Sequence, residues 1–262
     1  AALQTKMADK PKRVACEFEA FATNLCLGWN VPLVEIDSIV FELRRRKDAD
    51  ELRMLARANE ANRAMYEHAR TIVRPGTNEL DIYSELQGVA VHTLGEPLTY
   101  FGQDFRGNSR GGPPRDRALE AGELFVLDLG VGFRGYHSDN CRVIAVGGQP
   151  TDVQQRAWQA VSAVFKTIES ITRAGVSCRQ VFETVQRELD QYRAGSFNHH
   201  LGHGVGLAPQ EGPHLNPRWD DTLEEGNFIA VEPGVYHEEL RAGIRLEQNY
   251  VVTQSGVQLT TD

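Results

Sequence analysis

Through the otherwise charged stretch "KDADELRMLARANEANRAMYEHARTIV" the apolar residues Leu52, Leu55, Met65 and Ile72 keep roughly helical spacing, which predicts one long helix. Asp48 with Glu51 fits a capping box at its start, and Pro75-Gly76 ends it. Upstream, "CEFEAFATNL" and "VEIDSIVFELR" are mixed apolar stretches separated by the breakers Gly28 and Pro32, and the second alternates as a strand does. Further on, "FVLDLGVGFRGYHSDNC" (125–141) has the apolar density of a buried strand, yet it carries Asp128 in its middle and Asp139 at the start of the next strand. A carboxylate in an apolar strand is costly unless it is paired or holds a cation. Something positive is expected there.

The pattern then repeats. "TIVRPGTNELDIYSELQ" (71–87) returns as "SITRAGVSCRQVFETVQ" (170–186), matching Ile72 to Ile171, Arg74 to Arg173, Gly76 to Gly175 and Gln87 to Gln186. "GELFVLDLG" (122–130) returns as "GNFIAVEPG" (226–234), which places Asp128 on Glu232. Two similar halves are predicted, each a helix, a Gly turn, a second helix and a strand hairpin. Asp139 opens "DNCRVIAV" in the first half and Glu247 lies in "IRLEQNYVVT" in the second, so four carboxylates fall in four apolar strands. Alternate side chains face opposite sides of a sheet, and one carboxylate per strand from two hairpins can converge on one point. Any one of them alone reads better as a strand-end carboxylate facing water or an arginine; four at repeat-related positions do not.

Between the second helix pair and the second hairpin, "NHHLGHGVGLAPQEGP" (198–213) gathers His199, His200 and His203 on a Gly-rich segment that lets the backbone approach a site closely. Four carboxylates and one imidazole suit two divalent ions such as Mn, Co, Fe or Zn better than a structural zinc. Paired ions sharing a hydroxide are a device for hydrolysing amides and esters.

Composition narrows the partners. The chain has 262 residues and a formal net charge of -8, and its basic run Arg44-Arg45-Arg46-Lys47 leads straight into Asp48, Asp50 and Glu51, which argues against nucleic acid. Nowhere do 18 uncharged apolar residues run together and the first residues carry no apolar signal core, so no membrane association and a cytoplasmic location are expected. Cys16, Cys26, Cys141 and Cys178 are scattered without a CxxC, as reduced thiols are.

"LDLG" with Asp128, "HSDNCR" with Asp139, "GHGVG" with His203, "VEPGVY" with Glu232 and "GIRLEQNYVVT" with Glu247 together resemble the pita-bread metallopeptidases: methionine aminopeptidase, Xaa-Pro aminopeptidase and prolidase. The resemblance covers residues 45 to 262, and the short Glu232-to-Glu247 interval looks more like the proline-directed branch. It implies an α+β fold with an internal pseudo-twofold repeat, a mixed or antiparallel curved sheet covered by helices, and residues 1–44 as the tail of a separate N-terminal domain or an extension. It further implies two divalent ions, manganese favoured, a peptide substrate and a homodimer. By the same resemblance Asp128 chelates one ion, Asp139 and Glu247 bridge both, and His203 and Glu232 complete one each. Glu232 also takes the proton of the bridging hydroxide, His199 lines the substrate pocket, and Arg245 orients the bridging carboxylates from behind.

Two positions depart from the family. Gln210 stands where "GHGxGxxxHE" calls for a histidine, and Gly111 is the nearest match to a second one. Those imidazoles hold the substrate and stabilise the tetrahedral intermediate, so an atypical pocket is expected, with Arg110 or the amide of Gln210 as substitute donors. The alternative is a homologue that keeps the fold as a metal-binding or protein-binding module with weak or no peptidase activity. Elsewhere, Trp158, Phe165 and Ile168 at helical spacing read as core, "RGNSRGGPPRDR" (106–117) reads as a loop, and His137 and His214 carry no argued role.

Overall fold

The computed structural model describes residues 12–17 and 32–261. The chain divides into two compact units, residues 1–44 and 45–262. In the first, β1 (Val14–Cys16) pairs in parallel with β2 (Leu33–Glu35), and α1 (Asp37–Arg45) follows. The strand expected across "VEIDSIVFELR" is therefore corrected to a three-residue strand and a helix. Ile36, Val40 and Leu43 satisfy helical spacing as well as alternation does, and the Glu35 carboxylate accepts from Ser38 N at 3.2 Å where the helix begins. Most of "CEFEAFATNL" lies outside the described residues.

The second unit opens with the long helix, α2 (Ala49–Ile72). Its capping box is present: Asp48 accepts from Asp50 N and Glu51 N, and Glu51 accepts from Asp48 N. After a turn at Gly76 comes α3 (Glu79–Leu94), then β3 (Tyr100–Gly107), β4 (Leu124–Phe133), β5 (Tyr136–His137) and β6 (Asn140–Ala145). The second half repeats the plan with α4 (Asp152–Ile171) and α5 (Cys178–Arg193). Its strands are β7 (Gly202–Gly204), β8 (Glu211–Leu215), β9 (Phe228–Val231), β10 (Gly234–Val235), β11 (Ile244–Arg245), β12 (Gln248–Val252) and β13 (Val257–Leu259).

The glycines that the repeat matches have a physical reason to match. Gly76 and Gly175 take φ of 87° and 85°, and Gly122 and Gly226 take 86° and 88°, a left-handed conformation that disfavours side chains. In one sheet β4 pairs with β3 on one side and with β5 and β6 on the other; in the second the order is β13-β12-β9-β7-β8. Every strand pair of this unit is antiparallel. Helices α2 and α3 bury Met65, Ile82 and Leu86 against Phe105, Phe125 and Leu127 of the first sheet. Helices α4 and α5 bury Val161, Ile168, Val181 and Val185 against Ile229 and Tyr250 of the second. Trp158 is corrected out of this core: it is 49% exposed, because α4 packs through Ala157, Val161, Val164 and Ile168 and Trp158 falls one step off that stripe. Among the described residues no helix is long and apolar enough to cross a membrane.

The loop between β3 and β4 is pinned at its base. The buried Glu79 carboxylate accepts from Gly107 N (3.0 Å), Arg115 N (2.9 Å) and Arg115 Nε and Nη2 (3.1 and 2.7 Å). Burial pushes the Glu79 carboxyl up, but the bonds from Arg115 and the two backbone amides outweigh it and hold it below the ordinary glutamate value. A depressed carboxyl contributes stability above its unfolded value and loses it as pH falls through the folded one. Glu79→Gln is therefore expected to cost about 2 kcal/mol at neutral pH, the outer edge of Arg115 remaining hydrated. Urea titrations should also show a shallower loss of stability than wild type over roughly pH 5 to 3. An unchanged pH slope would remove Glu79 as the anchor of this loop.

Candidate metal centre

The strands deliver the five expected ligands to one place. Asp128 sits inside β4, Asp139 and Glu247 immediately precede β6 and β12, Glu232 immediately follows β9, and His203 is the middle residue of β7. All five are buried, with Asp139, His203 and Glu247 at 2%, 1% and 1% exposure. One ligand atom from each of Asp139, His203 and Glu247 lies within 4.8 Å of the others, and the same holds for His199, His200 and Glu232. The two groups meet at His203, whose Nε2 is 3.6 Å from Asp139 Oδ2 and 3.5 Å from Glu232 Oε1. Asp128 joins through Arg245, which donates to Asp128 Oδ2 at 2.6 Å.

The imidazole orientation follows from backbone bonds. His203 Nδ1 donates to Gly204 O at 3.0 Å, which fixes the ring and turns Nε2 towards the carboxylates. His199 Nδ1 likewise donates to His200 O at 2.7 Å, while its buried Nε2 has no partner. Burial pushes the His199 imidazole down to about 4, so it is neutral at neutral pH. His200 lies 2.7 Å from Glu232 Oε1, and that contact raises its pKa.

The electrostatics call for cations. Burial, then repulsion from Asp128 and Glu232, pushes the Asp139 carboxyl well above its ordinary range; burial, then Asp139 and Asp128, does the same to Glu247. Asp128 is raised by burial against the opposing pull of Arg245. Glu232 is the exception: burial raises it too, but its contacts with His200 and His203 hold it far below the ordinary value. Both Glu247 oxygens and Asp128 Oδ1 are buried without a hydrogen-bond partner. Orphaned, mutually repelling carboxylate oxygens beside a buried imidazole nitrogen are a donor set that divalent cations satisfy.

Several functional neighbours escaped the sequence reading. Asn140 Nδ2 donates to Glu247 O at 2.6 Å and Asn249 Nδ2 donates to Asp139 O at 2.7 Å, so each half fixes the backbone of the other half's carboxylate. The signal was available, since both asparagines sit within two residues of a repeat-related carboxylate. Gln103 Nε2 donates to Asp139 Oδ1 at 3.1 Å. Asp104 had no such signal; it stands opposite Asp128 in the β3–β4 register and shares Arg245 with it. The resemblance sets Arg245 behind the bridging carboxylates, whereas here it contacts Asp104, Asp128, the Tyr236 hydroxyl (3.2 Å) and, at 3.8 Å, Glu232.

A cleft of about 650 Å³ leads to this cluster, lined by Arg110, Asn198, His199, His200, Glu232 and Tyr236. Gln210 is exposed in the segment between β7 and β8. Gly111 has a φ of 145°, and a Cβ there would run into the Asp104 carboxylate. His137 stacks edge-on against Tyr100, and His214 is registered opposite His203.

The chain is similar to several known peptidases. The chain is 29% identical over 234 residues to the uncharacterized peptidase YqhT of Bacillus subtilis and 27% identical over 232 residues to an Xaa-Pro dipeptidase of Pyrococcus horikoshii, covering 87% of this chain and 65% of each relative. It thus spans just under two thirds of the length of those curated relatives. Among solved structures, the X-Pro aminopeptidase of Thermotoga maritima superposes with a TM-score of 0.89 at 26% identity, covering 100% of this chain and 76% of the other. The prolidase of Pyrococcus furiosus does so with 0.85 at 25% identity, covering 96% and 76%. The architecture is the pita-bread fold that the resemblance implied. The profile of metallopeptidase family M24 matches residues 53–254, and the chain belongs to that family.

Proposed function

We propose that the second unit is the catalytic domain of a hydrolase that holds two divalent ions, manganese favoured, and cleaves short peptides of the Xaa-Pro type. The observation that carries this reading is the pair of orphaned Glu247 oxygens inside a cluster of like-charged, desolvated carboxyls. The names of the relatives supply the substrate class. Asp128, Asp139, Glu247, His203 and Glu232 would hold the ions, which when bound supply Lewis acidity for the scissile carbonyl and acidify a water. Glu232 would serve as the proton acceptor for such a water, its carboxylate held in place at Oε1 by His200 at 2.7 Å. Arg245 holds Asp128, and the buried side chains around the cluster exclude bulk water. His199 is neutral and offers Nε2 as an acceptor to a substrate N–H.

The test joins metal content to turnover. Protein incubated with manganese and freed of excess ion should carry two ions per chain and hydrolyse at least one member of a panel of dipeptides and tripeptides with proline second. Glu232→Gln should lower kcat by about 10³-fold, an order usual for losing a positioned proton acceptor. Well under one ion per chain would overturn the metal centre, and two ions with no turnover of any peptide would overturn the peptidase reading alone.

A further inference from the structure

Away from the metal cleft, a cavity of about 330 Å³ runs along α2. Asn59, Arg63, Tyr66 and Arg70 follow one another on its wall at three- and four-residue steps, and Arg142 of β6 and Thr261 also line it. Asn59 is 7% exposed, yet neither its Oδ1 nor its Nδ2 has a hydrogen-bond partner. The nearby Asn62 shows the contrast: its Nδ2 donates to Leu129 O at 2.7 Å and its Oδ1 accepts from Ser138 Oγ at 3.0 Å. Buried amides are normally paired, so a carboxamide unmatched at both atoms and facing a cavity is a grip for something that enters it. The rest of the wall is cationic. Three arginines meet two glutamates there, in a chain of net charge -8, and one of those glutamates, Glu60, is already held by Arg57. Arg142 Cζ lies 5.7 Å from the centre of the Tyr66 ring. Arg70, one turn beyond Tyr66, is exposed and makes no ion pair among the described residues.

We propose that this cavity is a non-catalytic binding site for a short peptide, in which Asn59 takes the backbone edge of one extended residue and Arg142 and Arg70 take a carboxylate beyond it. It does not rest on the peptidase reading, since none of the five candidate metal ligands lines the cavity. An extended residue presents its N–H and C=O on the same side, as a strand does to its neighbour, and a carboxamide offers the matching acceptor and donor. Proline at that position lacks the N–H and would leave Asn59 Oδ1 unmet. The spacing fits. Two turns of α2 separate Asn59 from Tyr66, about 10 Å along the helix axis. Side chains reaching in from both ends shorten that gap to one that one or two extended residues at ~3.5 Å each can span. A volume of about 330 Å³ is at the lower end of the roughly 300–1,000 Å³ of small-ligand clefts, which suits a blocked dipeptide and excludes a folded partner.

The experiment is a calorimetric titration of the intact chain with three probes blocked at the amino end. N-acetyl-alanyl-alanine carries both recognition groups, N-acetyl-prolyl-proline lacks the N–H, and N-acetyl-alanyl-alaninamide lacks the carboxylate. The first is expected to bind the wild type at least about tenfold more tightly than either of the others, the range of one hydrogen-bonded pair or one charge-assisted contact. Asn59→Leu should lower its affinity to that of N-acetyl-prolyl-proline and melt no lower than wild type, because an amide without partners surrenders no bond. Arg70→Ala should bring acid and amide towards equal affinity. Equal affinities of the wild type for all three probes would overturn the inference. So would undiminished binding of N-acetyl-alanyl-alanine to Asn59→Leu, which would place the peptide in the metal cleft. Should Asn59→Leu fail to fold, Arg70→Ala on the exposed rim decides: loss of the preference for the acid supports the site, and its persistence overturns it.

Discussion

Manganese is expected to raise the melting temperature of this protein by about 10 °C, and Glu247→Gln to abolish most of that rise. A ligand at a thousand times its dissociation constant stabilises the native state by about 4 kcal/mol, and each kcal/mol moves the midpoint of a domain this size by about 2–4 °C. Glu247 carries much of that effect because both its oxygens are buried and unpartnered and no neighbour can stand in for it. The metal-free behaviour should run the other way. Asp139 is raised by burial and by Asp128 and Glu232, and Glu247 by burial and by Asp139 and Asp128, so at these two groups the metal-free native state binds more protons than the unfolded chain. Its stability then falls as pH rises from the ordinary carboxylate range through the raised folded values. Glu247→Gln removes one member of the repelling set, and the metal-free variant should melt no lower than metal-free wild type and show a shallower decline with pH. Differential scanning calorimetry with and without chelator reads both arms. A variant that melts several degrees lower than wild type without metal would show that Glu247 is structural and that the cluster is not strained for want of cations.

The carboxylates were legible in the sequence because their cost is local: Asp128 is conspicuous inside "FVLDLGVGF", and the internal repeat supplies a second copy at Glu232. The long helix was legible for a similar reason, its capping box and apolar spacing lying within one turn of each other. What was not legible depends on register between distant strands. Asp104 gains its place only because β3 pairs with β4 so that Asp104 faces Asp128, and nothing in "YFGQDFRG" announces that partner. The Asn140 and Asn249 contacts cross from one half to the other, between residues more than a hundred positions apart. Trp158 failed for another reason: its spacing with Phe165 and Ile168 suggested core, while the packed stripe of α4 runs through Ala157, Val161, Val164 and Ile168. In α1 a short apolar run fits both periods, and only the Glu35 contact and the acidic first turn separate helix from strand.

Wild-type protein is expected to hydrolyse Xaa-Pro dipeptides about 10²- to 10³-fold more slowly than an enzyme with both family imidazoles, the usual cost of losing a donor to the developing oxyanion. The two restorations should not be equivalent. Gln210→His changes an exposed residue, and it should fold normally and raise kcat/KM by about tenfold. Gly111→His meets two obstacles: a φ of 145°, which side chains resist, and the Asp104 carboxylate lying where its Cβ would go. Displacing Asp104 frees one of the anions that hold Arg245 and leaves its Gly112 N–H bond unmade. Gly111→His alone should therefore lose about 2 kcal/mol of stability and gain no rate. Pairing it with Asp104→Gly clears the space but leaves Arg245 to Asp128 and Glu232, which should bring it closer to the ligands and weaken manganese binding. The measurements are kcat/KM on alanyl-proline at matched metal content together with melting temperatures. A Gly111→His variant that melts like wild type and turns over faster would show that Asp104 moves aside freely, and that the missing imidazole alone separates this cleft from those of its relatives.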